Sequence, residues 1–145
     1  MSGMVVGALE GTRVAANDEI APGFFRLAFP RAFDFIPGQS IALTTDRAIP
    51  PRFYSVASGR DEPMAEVLYD LVPDGLLTPR LSRLMPGDPL FVSPPLGSFR
   101  DEEGPAFWIA AGTGIALPPL RRQPHGRGRQ GHPLWQGGAV RECDR

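Results

Sequence analysis

Arg52-Phe53-Tyr54-Ser55-Val56-Ala57-Ser58 alternates along an extended chain, with Arg52, Tyr54 and Val56 on one face and Phe53 and Ser55 on the other. The arginine offers forked donors suited to a pyrophosphate. The tyrosine offers a flat surface for a ring cofactor, with stacking worth about 0.5–1.5 kcal/mol. The serine adds a small hydrogen-bonding group. On these residues alone, a half-exposed strand with Tyr54 at its rim is the commoner reading of so short a pattern.

To either side, the first hundred residues are short apolar-rich segments broken by turn residues, the pattern of an antiparallel barrel or sandwich. The expected strands are Met4–Ala16, Gly23–Phe29, Ser40–Thr45, Arg52–Ala57, Ala65–Val72 and Pro89–Ser93. Ala21-Pro22-Gly23, Pro37-Gly38, Ile49-Pro50-Pro51 and Pro86-Gly87-Asp88 separate them and can reverse the chain. One segment departs from period two. Leu77, Leu81 and Leu84 share a helical face, with Thr78 as the expected N-cap and Pro79 at the first helical position. The segment Val72-Pro73-Asp74-Gly75-Leu76-Leu77-Thr78 leads into that N-terminus, where free N–H groups favour an anion. Taken alone, an ordinary capped helix is the commoner reading.

Further on, Ala106-Phe107-Trp108-Ile109-Ala110-Ala111 reads as a strand buried on both faces, running into Gly112-Thr113-Gly114. A buried strand entering a glycine-rich turn is how a nucleotide-binding α/β domain begins. The helix expected next is stopped by Pro118-Pro119.

Composition narrows the chemistry. The chain of 145 residues has a formal net charge of −1, so no strongly basic balance points to nucleic acid. No apolar run approaches the roughly 20 residues of a membrane span, and the N-terminus has no signal-peptide pattern, which makes the cytoplasm the expected location. The single cysteine, Cys143, cannot form an internal disulfide or hold a metal cluster by itself. No metal site is expected, and redox chemistry would rest on an organic cofactor or a partner. The charge is uneven: through Leu117 there are 9 Arg against 14 acidic residues, and from Pro118 there are 6 Arg against 2.

From about residue 4 to 117 the chain resembles the ferredoxin:NADP reductase superfamily. Phe35-Ile36-Pro37-Gly38-Gln39 is similar to the family's turn before the third strand, and Arg52-Phe53-Tyr54-Ser55 to its Arg-x-Tyr-Ser flavin motif. Residues 72–78 resemble its pyrophosphate segment, Leu81 to Asp88 its Leu-x-x-Leu-x-x-Gly-Asp, Pro95 to Phe99 its Pro-x-Gly-x-Phe, and Gly112 to Ala116 the opening of its NADP domain. Six motifs in register are far more specific than any one of them.

The resemblance implies a six-stranded antiparallel Greek-key β-barrel with one short capping helix, followed by the first strand of an incomplete α/β nucleotide-binding domain. The implied domains are an FAD-binding barrel at 1–100, the start of an NAD(P)-binding domain at 101–117, and a basic tail at 118–145. By the same resemblance Arg52 meets the pyrophosphate of FAD, Tyr54 lies along the isoalloxazine and Ser55 sits near its reactive nitrogen, making Tyr54 and Ser55 the catalytic pair. Phe53, Leu71, Val72, Gly75, Leu77, Thr78 and Thr113 complete the implied cofactor-binding set. NADP(H) or NAD(H) is the implied co-substrate, and the implied partner is a ferredoxin- or flavodoxin-like electron carrier or an oxygenase component.

The pattern departs from the family at Leu117, where a proline belongs. A βα crossover unit takes about 30 residues, so residues 118–145 are too few for the rest of that domain, and the expectation is an oxidoreductase with impaired NADPH turnover. A non-catalytic flavin-binding subunit working only within a complex is the alternative. For the tail itself, an out-of-frame end and a natural disordered basic segment both stay open.

Overall fold

The structure is a computed structural model that describes residues 7–98. The expected strand and glycine-rich turn at 106–114, Thr113 among them, and the 118–145 tail lie outside the described residues.

The fold is mainly β, with two antiparallel sheets and one short helix. In chain order the elements are β1 (Glu10–Arg13), β2 (Ala16–Ala21), β3 (Phe24–Pro30), β4 (Ser40–Thr44), β5 (Arg52–Ser55), β6 (Met64–Asp70), α1 (Thr78–Leu81) and β7 (Pro89–Val92). One sheet has the order β1-β7-β4-β5 and the other β2-β3-β6.

Period-two patterning explains the best-defined pair. In β3, Phe25, Leu27 and Phe29 face inward, and in β6 Ala65, Val67 and Tyr69 do the same. β3 pairs with β6 along its whole length, Phe24 opposite Asp70 through Pro30 opposite Met64. β4 is buried at Ile41, Ala42, Leu43 and Thr44 because it lies between β7 and β5. All of these but Ala42 and Thr44 form one core together with Val56, Leu77, Leu81, Leu90 and Val92, each large one contributing about 1.5–3 kcal/mol by leaving water.

The two sheets touch along two lines. On one side the Val14 N–H donates to the Asp88 carbonyl while the Ala15 N–H donates to that of Ala28, so the chain changes sheets between consecutive residues. On the other, Val56 bridges Val67 and the Ala57 N–H donates to the Glu66 carbonyl, joining the end of β5 to β6. The turns behave as proline and glycine dictate. The Asp88 N–H closes on the Met85 carbonyl around Pro86-Gly87, with Gly87 at φ 96°, a conformation side chains rarely adopt.

Three expectations need correction. The single strand over Met4–Ala16 is only β1 in its described part, and a strand not foreseen, β2, follows. Its Asp18, Glu19 and Ile20 are all exposed, so an edge strand here carries no inward apolar rhythm. The reversal before β5 lies at Asp46–Ile49 rather than Ile49–Pro51, closed by the Ile49 N–H on the Asp46 carbonyl and by the buried Thr44 hydroxyl donating to the same carbonyl at 2.9 Å. Finally, Thr78 is not the N-cap: Leu77 holds that position, no side chain caps the helix, and Thr78 opens a single helical turn. Leu84 still reaches the core, carried there by a tight turn in which its N–H donates to the Leu81 carbonyl.

Candidate functional site

β5 and β6 are joined at Val56 and Val67 and separate from there toward Arg52 and Asp70. A cleft of about 480 Å³ opens where they part, closed at its far end by residues 72–78. Because the Val56 N–H donates to the Gln39 carbonyl, Arg52, Tyr54 and Val56 direct their main-chain groups to β4. Phe53 and Ser55 direct theirs the other way, toward the cleft side.

The cleft is lined by Arg52, Phe53, Tyr54 and Ser55 on β5 and by Val72, Gly75, Leu77 and Thr78 on the following loop. Eight of the sequence-expected residues therefore converge on one place, although about twenty positions separate the two segments. Leu71 does not line the cleft; it packs against the core, and its N–H donates to the Gly23 carbonyl at 2.7 Å. Four lining residues were not foreseen: Leu68, Tyr69, Asp70 and Leu76. Projecting the antiparallel register from Val56–Val67 sets Ser55 opposite Leu68, Tyr54 opposite Tyr69 and Phe53 opposite Asp70. That relation depends on which strands meet, and no local pattern states it.

The loop is a built object. The Val72 N–H donates to Thr78 Oγ1 at 2.9 Å, and that hydroxyl donates back to the Val72 carbonyl at 3.2 Å. The Gly75 N–H also donates to the Val72 carbonyl. A Cβ on Gly75 would sit 3.0 Å from the Val72 oxygen and 3.3 Å from Thr78 Oγ1, so a larger residue there would push on the loop's own hydrogen bonds. Thr78 thus closes the loop rather than capping the helix.

Behind the cleft the aromatic rings form a wall. Tyr54 meets Tyr69 edge to face with centroids 6.4 Å apart, and Tyr69 stacks on Phe25 at 5.2 Å. The Tyr69 hydroxyl donates to Asn17 Oδ1 at 3.0 Å. Asn17 Nδ2 in turn donates to the carbonyls of Leu81 and Leu84, so one β2 side chain ties the wall to the end of α1. Burial pushes the Tyr54 phenol up, partly offset by the Arg52 guanidinium, and burial pushes Tyr69 well above the ordinary phenol range. Both rings stay neutral near pH 7.

The front of the cleft is apolar and open: Phe53 is 41% exposed, Val72 53% and Leu76 70%. Single exposed apolar residues are ordinary, but three around one concave site offer a surface for a flat apolar ring. Among the described residues no group of three or more histidine, cysteine or acidic side chains could hold a metal ion, and no helix is long and apolar enough to cross a membrane.

No protein-family model matches the chain. It is 38% identical over 91 residues to the flavodoxin/ferredoxin–NADP reductase of Escherichia coli (strain K12), a match that covers 59% of this chain and 36% of that protein. The chain thus spans little more than a third of the curated relative. Its fold superposes with TM-score 0.71 on a ferredoxin NADP+ reductase from Neisseria gonorrhoeae with bound FAD and NADP, at 21% identity, covering 80% of this chain and 51% of that one. The Amycolatopsis cytochrome P450 reductase GcoB superposes with TM-score 0.67 at 29% identity, covering 81% and 39%. In sequence, over part of its length, the chain is similar to flavodoxin/ferredoxin–NADP reductases, and in fold it is similar to solved ferredoxin reductases.

Proposed function

We propose that the cleft between β5 and residues 72–78 seats FAD, and that the chain supplies the flavin domain of an NAD(P)H-dependent oxidoreductase of the ferredoxin:NADP reductase type. The carrying observation is the convergence of Arg52, Tyr54, Ser55, Gly75, Leu77 and Thr78 on one cleft. On this reading the two sheets close into a six-stranded Greek-key barrel, β1 and β2 counting as one strand bent at Val14–Ala15, with residues 1–100 as the flavin domain. The two lines of contact between the sheets support it.

The residues present suit the cofactor. Arg52 is in no ion pair among the described residues, which leaves its guanidinium available to a pyrophosphate. Tyr54, held edge to face by Tyr69, gives the isoalloxazine a neutral surface whose position is fixed before binding. Ser55 and the main-chain groups of Phe53 and Ser55 supply hydrogen bonds along one edge. Gly75 and Thr78 shape the loop on which the pyrophosphate rests, Val72 and Leu77 line it, and Leu71 braces it from the core side. Bound there, FAD would accept a hydride from NADPH or NADH and release electrons singly; the protein's part is alignment and tuning. The names of the relatives support a ferredoxin- or flavodoxin-like carrier, or an oxygenase component, as the electron partner.

Reconstituting the full chain with FAD and removing free cofactor by gel filtration is expected to leave a yellow protein. Its flavin fluorescence should be quenched by Tyr54, and Tyr54→Leu should restore much of it. A colourless parent chain would rule the reading out.

A further inference from the structure

The cleft holds two opposite charges that do not neutralise each other. Arg52 and Asp70 both line it, yet no ion pair among the described residues includes either. On the strands behind, by contrast, Arg26 lies between Asp18 and Glu66 across β2, β3 and β6. Asp70 ends β6, with its backbone opposite Phe24 and its exposed side chain beside the outward-facing Leu68, directly across the gap from Phe53. A ligand entering between β5 and β6 therefore meets one guanidinium and one carboxylate. Chemistry that satisfies both has an anionic group of modest charge density and hydroxyl donors close to it.

We infer that Asp70 is a specificity-determining residue of this cleft, accepting a ligand hydroxyl and disfavouring a terminal phosphate monoester, so that a flavin diphosphate ester is chosen over the flavin mononucleotide. The inference rests on the flavin reading above and deepens it. A phosphate monoester concentrates about −1.5 to −2 charges on one group near pH 7, and a single guanidinium leaves part of that charge facing Asp70. A diphosphate diester distributes its charge over two singly charged phosphates, and the second can move along residues 72–78 away from the carboxylate. Ribityl and ribose hydroxyls then donate to Asp70, an arrangement in which the carboxylate gains partners.

The test measures binding of FAD, FMN and riboflavin to the full chain and to Asp70→Asn and Asp70→Glu by flavin fluorescence titration. In the parent chain FAD should bind more tightly than FMN. Asp70→Asn should strengthen FMN binding roughly fivefold, the scale of a partly exposed charge, while riboflavin, which has no phosphate, changes less than about twofold. Asp70→Glu should keep the FAD preference, and added salt should shrink the Asp-to-Asn difference for FMN because exposed charges are screened. If all three flavins shift together in Asp70→Asn, or none shifts, Asp70 does not discriminate and the inference fails while the flavin reading stands. If the parent binds none of the three, the flavin reading fails and this inference with it.

Discussion

Arg52→Ala is expected to weaken FAD binding by about one to two orders of magnitude, with the thermal midpoint of the apoprotein unchanged to within about 2 °C. A charge-assisted hydrogen bond to a phosphate contributes roughly 1.5–3 kcal/mol, and each 1.4 kcal/mol is about tenfold in affinity. The fold loses little because Arg52 is exposed on β5 and has no ion-pair partner among the described residues. Isothermal titration of parent and variant reads the affinity, and a thermal scan reads the fold. Arg52→Lys should recover only part of the loss, since an ammonium keeps the charge without the planar fork. Equal affinity in Arg52→Ala and the parent would remove Arg52 from the pyrophosphate site.

Leu81→Ala is expected to destabilise the chain by about 2–5 kcal/mol, the range for truncating a leucine in a packed core. Leu81 is fully buried and sits on a helix of one turn, so packing rather than helix propensity holds that turn in place. Its carbonyl also accepts from Asn17, which carries Tyr69; the loss should therefore be felt at the aromatic wall as well as at residues 72–78. Urea unfolding gives the size of the effect. Leu76→Ala, at a residue 70% exposed, is the matched control and should stay within about 0.5 kcal/mol of the parent. A loss below about 1 kcal/mol in Leu81→Ala would mean that α1 is not anchored as described.

Much of this was readable before the structure. The apolar-rich runs Phe24–Phe29 and Ala65–Tyr69, bounded by turn residues, marked β3 and β6, whose Phe25, Leu27, Phe29, Ala65, Val67 and Tyr69 fill the core. Pro-Gly pairs marked turns because their dihedral preferences are local. What escaped depends on distant contacts. β2 is an edge strand whose Asp18-Glu19-Ile20 run is exposed throughout, so nothing in it alternates. Thr78 followed by proline matches a capping pattern, but its hydroxyl found a better pair of partners at Val72. Asn17, Tyr69 and Asp70 joined the site only because β2, β6 and β5 come together in three dimensions. Asn17 has no local signal that would announce a bond to a helix end 64 positions away.

The seat of the cofactor can be read residue by residue from backbone amide NMR shifts as FAD is titrated into the labelled full chain. Shifts should concentrate at residues 52–55, 68–70 and 72–78 and saturate together, while β1 and the Arg47–Phe91 contact, across β4 from β5 in the same sheet, stay unmoved. Saturable shifts centred elsewhere, or none at those three segments, would contradict the assignment of this cleft as the flavin site.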